Sequence, residues 1–166
     1  KICDFGLARH FGTPAGSYTP QVLTLWYRPP DLLLGAKQYS IGADMWAIGC
    51  IFAELLLGAP LLPGRTELQQ ISLIFNLLGS PNTRIWPDYA ALPNVGRWQL
   101  PPYSYSRLRD AVPGLTDRGY HLLERLLAYD PARRIAAKDA WAHSFFTEQP
   151  QTLALELMPT FPTLHG

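Results

Sequence analysis

Residues 41–57 constrain the fold more than any other stretch, reading Ile-Gly-Ala-Asp-Met-Trp-Ala-Ile-Gly-Cys-Ile-Phe-Ala-Glu-Leu-Leu-Leu. On a helix, Ile41, Met45, Trp46, Ile48, Ile51, Phe52, Leu55 and Leu56 fall on every face, and a helix apolar all round is buried all round. The segment therefore predicts a central helix enclosed by the rest of the domain, and a full face of it in solvent would contradict that expectation. Asp44 and Glu54 are its only charges, and Asp44 lies near the N-terminus, where the helix dipole favours an acid. The apolar run from Met45 to Leu62 carries Glu54 and is interrupted by Gly58 and Pro60, so it is too short and too broken to span a bilayer.

The other elements are short, as 16 prolines in 166 residues require. Residues 4–30 hold Gly6, Gly12, Gly16 and four prolines with no sustained period, which makes a long loop of the kind that carries function. Pro30 suits the first position of a helical turn that Gly35 closes. Thr66 and Gln69 have the spacing of a capping box ahead of a helix to about Leu78, with Leu68, Ile71, Ile74 and Phe75 at helical intervals. The run Gly79-Ser80-Pro81-Asn82 stops it, and residues 81–113 form an irregular insert pinned by aromatic side chains. Thr116 caps a helix to about Tyr129, and a short helix from Ala137 to His143 precedes Phe145 and Phe146, which dock. Residues 147–166, with Pro150, Pro159 and Pro162, form an extended tail.

Net charge is +1, which rules out a strong electrostatic case for nucleic acid or an anionic membrane. Charged residues are 16%, below the roughly 25% of an average domain, so part of the surface is expected to be covered by something else. Cys3 and Cys50 lie far apart with no paired spacing, which fits two reduced thiols of an intracellular protein rather than a disulfide or zinc framework. His10, His121, His143 and His165 show no ligand spacing and are expected to be surface or satisfied histidines. Trp46, Trp86 and Trp141 are expected to pack in the core or the insert. Lys1-Ile2-Cys3 reads as a strand with no hairpin partner in this sequence, so its partner is expected N-terminal to it.

Several motifs then stand in a fixed order: DFGLAR at 4–9, TLWYR at 24–28, DMWAIGCIFAELL at 44–56, PLLPG at 60–64 and DPARRIAA at 130–137. Asp4-Phe5-Gly6 after a strand, with a Pro-acid pair closing the loop, resembles the activation segment of protein kinases. With Ile85-Trp86-Pro87 and the tail Glu156-Leu157-Met158-Pro159, the chain is similar to the cyclin-dependent kinases, most of all the branch of the tenth and eleventh members, the tenth being the nearer.

The resemblance implies a mainly helical C-terminal lobe fragment of the α+β protein-kinase fold, without N-lobe or catalytic loop. A partial kinase domain would span residues 1–146, with an activation segment at 4–31. It implies a proline-directed serine/threonine kinase that uses ATP and Mg²⁺, binds a cyclin, acts in cell-cycle or transcription control, and resides in nucleus or cytoplasm. Asp4 matches the Mg²⁺ and nucleotide ligand of the DFG motif, Phe5 the residue whose packing sets loop position, and Gly6 its hinge. Thr19, ahead of Pro20, matches the activating phosphosite, with Ser17 and Tyr18 weaker candidates, and Arg9 matches a phosphate-binding arginine. Val22, Leu23, Thr24 and Arg28 correspond to the platform for a substrate Ser/Thr-Pro. Asp44 matches the helix acid that holds the catalytic loop. Asp31 stands where the family has Glu, one methylene longer, and is expected to pair with Arg134. No glycine-rich phosphate loop, VAIK-type lysine or HRD catalytic loop occurs in the sequence, so the chain alone is expected to be inactive. The alternative is a non-catalytic binding module built on a kinase C-lobe.

Overall fold

A computed structural model describes residues 3, 5, 8, 24–37, 39–150 and 155–157. Among them there are helices and connecting segments and no strand, as a mainly helical lobe requires. In chain order the helices are α1 (Pro30–Leu33), α2 (Ile41–Leu57), α3 (Glu67–Leu78), α4 (Leu108–Ala111), α5 (Asp117–Leu126) and α6 (Ala137–Trp141). Single turns of 3₁₀ helix stand at Leu25–Tyr27, Tyr89–Ala91, Ser144–Thr147 and Leu155–Leu157. Of the strand expected at Lys1–Cys3, Lys1 and Ile2 lie outside the described residues.

Local chemistry sets the helix ends. Pro30 occupies the first turn of α1, where its missing N–H leaves no bond unmade. Gly58 ends α2 at φ +67°, a left-handed conformation that favours glycine, and its N–H donates to Glu54 O at 2.8 Å. Thr66 caps α3 by accepting from the Gln69 N–H at 3.1 Å, and Gln69 Oε1 accepts in return from the Arg65 N–H at 2.9 Å. Thr116 caps α5 through the Gly119 N–H at 3.0 Å. Two boundaries differ from expectation: α5 ends at Leu126 rather than Tyr129, and α6 at Trp141 rather than His143. After α6 the chain passes directly into the 3₁₀ turn that His143 caps, and after α5 it turns at Asp130–Arg133, where the Arg133 N–H donates to Asp130 O at 3.0 Å.

The core lies along one side of α2. Trp46, Cys50 and Ala53 pack with Leu33 and Leu34, with Ile71, Ile74 and Phe75 of α3, and with Leu123, Leu127 and Tyr129. Trp86 of the insert stacks on Tyr129 at 6.0 Å between ring centroids, so the insert is pinned by an aromatic side chain as expected. A second cluster joins Met45 to Leu122, Leu126 and Ile135. Helices α2 and α5 approach closely at Gly49, where a Cβ would stand 2.8 Å from Leu127 Cδ2.

Helix α2 is not buried all round: Ile41, Asp44, Ile48, Ile51 and Leu55 form an exposed stripe, with Leu55 79% exposed. Apolar character on a helix face states a preference for burial, and among the described residues no element covers this face. Trp141 also departs from expectation, at 83% exposed on the surface of α6, its ring tilted against Phe146 at 6.3 Å between centroids. Phe145 docks, half-buried, and Phe146 stays exposed.

Candidate functional site: the anchored end of the long loop

The segment Thr24–Asp31, which closes the stretch that the sequence predicts to be a long loop, is tied down at several points. Its 3₁₀ turn at Leu25–Tyr27 packs on α2 and α3. Gln70 of α3, fully buried, donates from Nε2 to Trp26 O at 3.3 Å and accepts the Gly64 N–H at 3.0 Å. The Tyr27 hydroxyl donates to Glu54 Oε2 at 2.9 Å, and burial followed by this carboxylate raises the phenol above its ordinary pKa. Arg28 reaches Glu67 of α3 at 3.6 Å, and Glu67 in turn faces Arg97 of the insert at 3.9 Å.

The final tie is buried. Arg134 Nη2 donates to Asp31 Oδ1, with almost no side-chain surface exposed on either residue. Arg134 also donates to Ala128 O at 2.8 Å, to Gly42 O at 3.0 Å and to Tyr129 O at 3.0 Å. Its guanidinium lies over Trp46 at 5.2 Å from the ring centroid. Burial pushes its pKa below the ordinary value, and Asp31 opposes that shift. One planar cation thus joins α1, the start of α2 and the segment after α5. The shorter Asp still reaches its partner.

The described site residues are placed as follows. Phe5 is 70% exposed and accepts at its carbonyl from the Ala8 N–H at 3.0 Å. Thr24 is exposed and Arg28 half-buried. Asp44 is exposed on α2, where Oδ1 accepts from the Tyr39 hydroxyl at 3.0 Å. Asp4, Gly6, Arg9, Thr19, Val22 and Leu23 lie outside the described residues, as do Ser17 and Tyr18. Among the described residues no group of three His, Cys, Asp or Glu could hold a metal ion. No helix among them is long and apolar enough to cross a membrane.

Sequence reasoning missed Gln70, Glu54 and Glu67. Gln70 left a signal: an amide at helical spacing from Ile74 on the inward face of α3, where a buried polar group needs partners. The ties of Glu54 and Glu67 left none, because each reaches a residue far away in the sequence.

An anchored loop end, a central helix and a helical lobe closed by a buried Arg–Asp pair define the C-terminal part of a protein kinase. The chain belongs to the protein kinase domain family, which matches residues 1–146. Within that family it is similar to Probable cyclin-dependent kinase 10 of Dictyostelium discoideum, with 52% identity over 165 residues, 99% of this chain and 45% of that protein. It is 49% identical to Cyclin-dependent kinase G-2 of Oryza sativa subsp. indica over 99% of this chain and 24% of that protein. It is 47% identical to Cyclin-dependent kinase 11B of Homo sapiens over 98% of this chain and 20% of that protein. These relatives include the tenth and eleventh members to which the motifs pointed, and the chain spans less than half the length of each.

Proposed function

We propose that the chain is the activation-segment and substrate-platform part of a proline-directed serine/threonine kinase of the cyclin-dependent kind. The complete protein would transfer the γ-phosphate of ATP to Ser or Thr followed by Pro. The observation that carries the reading is the four-way anchorage of Thr24–Asp31 by Gln70, Glu54, Glu67 and Arg134, which fixes one end of a loop bearing the kinase motifs. A platform of this kind must be rigid to position a peptide.

Within this reading Asp4 is a ligand for Mg²⁺ on the nucleotide, and Phe5 and Gly6 set the loop's position. Thr19 takes the activating phosphate, which Arg9 helps to hold. Val22, Leu23, Thr24 and Arg28 line the position after the phosphoacceptor. A pocket there that offers no acceptor for an N–H admits proline without penalty. Asp44, exposed on α2, holds backbone of the catalytic loop. ATP and Mg²⁺ supply the phosphoryl group and its charge neutralisation. A cyclin is the partner, and the nucleus or cytoplasm the location. One observation favours a second reading, a non-catalytic module that binds protein: α2 exposes an apolar stripe.

The test is phosphate transfer by the complete protein with a cyclin, to a Ser-Pro peptide and to its Ser-Ala counterpart. The proposal expects transfer with strong preference for Ser-Pro, and none from residues 1–166 alone. No transfer by the cyclin-bound complete protein would leave the binding-module reading standing.

A further inference from the structure

His143 and His121 stand 22 residues apart in sequence yet face each other, with His121 Nδ1 2.8 Å from His143 Nε2 and rings stacked at 5.1 Å. His143 is the N-cap of the 3₁₀ turn Ser144–Thr147, and its Nδ1 accepts from the Phe145 N–H at 3.1 Å. A backbone N–H can only donate, so this Nδ1 is bare and the neutral ring carries its proton on Nε2. That proton points at His121 Nδ1, which must therefore be bare as well. The tautomers of both rings are fixed by one chain of donors that starts at the peptide group of Phe145.

We propose that His121 and His143 form a proton-sensitive latch, which holds the segment after α6 onto α5 while both rings are neutral and releases it when the pair takes up one further proton. The two bare nitrogens are the sites open to that proton. On His143 Nδ1 it confronts the Phe145 N–H. On His121 Nδ1 it confronts the His143 Nε2–H. Moving the His143 proton to its other nitrogen relieves the second conflict only by creating the first. Every singly charged state of the pair thus loses the cap or the bond between the rings.

The cap holds Phe145 in place. That ring packs edge-on against Phe52 of α2 at 5.2 Å, and a Cβ at Gly119 of α5 would stand 3.1 Å from it. The segment ends at Glu148, whose Oε1 accepts from the Thr116 hydroxyl at the start of α5. Burial, then His121 and Arg125 of α5, lower the pKa of His143 from the ordinary 6.5, against an opposing pull from Glu148. A folded-state value below the unfolded one means the latch contributes its stability above pH 6.5 and loses it as pH falls through the folded midpoint.

The test is nuclear magnetic resonance of the 166-residue chain between pH 8 and pH 5, following both imidazole rings and the Phe145 amide. At pH 8 His143 is expected as the Nε2–H tautomer. The Phe145 amide shift should follow the His143 midpoint. Exchange protection of that amide, corrected for the intrinsic rate, should fall roughly three- to tenfold on acidification, the loss of one hydrogen bond. His143→Asn keeps a good capping acceptor but cannot titrate, so its Phe145 amide should stay protected across the range. An Nδ1–H tautomer at pH 8, a Phe145 amide indifferent to the His143 titration, or the same loss of protection in His143→Asn would each overturn the latch.

Discussion

Arg134 and Asp31, 103 residues apart in sequence, meet as an ion pair from which water is almost wholly excluded. The pair couples the segment Thr24–Asp31 to the segment before α6. It is a costly arrangement to break from one side, because the surviving charge is left buried. Asp31→Ala is predicted to lose about 3–5 kcal/mol of stability. Arg134→Lys should lose a similar amount, since one ammonium cannot reach Asp31 and the carbonyls of Gly42, Ala128 and Tyr129 together. Urea denaturation measures both. A loss within about 1 kcal/mol, the range of an exposed ion pair, would show that the anchor does not hold the lobe together.

Gly49→Ala should destabilise, although alanine is the better helix former by about 1 kcal/mol. The added Cβ would stand 2.8 Å from Leu127 Cδ2 and 2.9 Å from Leu126 Cβ, inside a contact the two helices need. Overpacking of this kind costs about 1–3 kcal/mol and outweighs the helix gain when the close contact at Leu126 Cβ cannot yield, so the expected net change is a loss of up to about 2 kcal/mol. Thermal denaturation gives the sign. A raised midpoint would mean that α2 and α5 have room to move apart.

The two thiols should differ sharply. Burial pushes the Cys50 thiol from 9.0 up to about 12, with Glu54 adding to the shift, whereas Cys3 is exposed. At pH 8 a thiolate-selective reagent is expected to modify one cysteine quickly in the folded chain and both in urea. The unfolded thiol ionises first as pH rises, so the contribution of Cys50 to stability is present below pH 9 and is lost above it. Rapid modification of Cys50 in the native chain would contradict the packing of α2.

Much of the helical framework was legible in the sequence because caps and apolar periods are local signals. Thr66, Thr116, Pro30 and Gly58 each mark a helix end by chemistry that acts within a turn. Whether the apolar stripe Ile41, Ile48, Ile51 and Leu55 is covered is a different kind of fact, set by which surfaces meet it. Periodicity records only the preference for cover, and so the expectation of full burial failed. The pairing of Asp31 with Arg134 came through resemblance alone, since nothing within either local sequence points to the other. His121 and His143 carried no readable spacing at all. Their relationship depends on the fold bringing α5 beside the turn that follows α6.

We propose residues 4–31 as a kinase activation segment, with Thr19 as its switch. A phosphate there adds about 1.5 to 2 negative charges. On that proposal, charge-assisted bonds to Arg9 and its neighbours in the complete protein would be worth roughly 1.5–3 kcal/mol each. The most direct measurement compares phosphate transfer to a Ser-Pro peptide by the complete cyclin-bound protein, phosphorylated wild type against Thr19→Ala. A fall of at least about tenfold in the variant is predicted, the change that one such bond represents. Equal rates for the two proteins would contradict the assignment and remove Thr19 from the site.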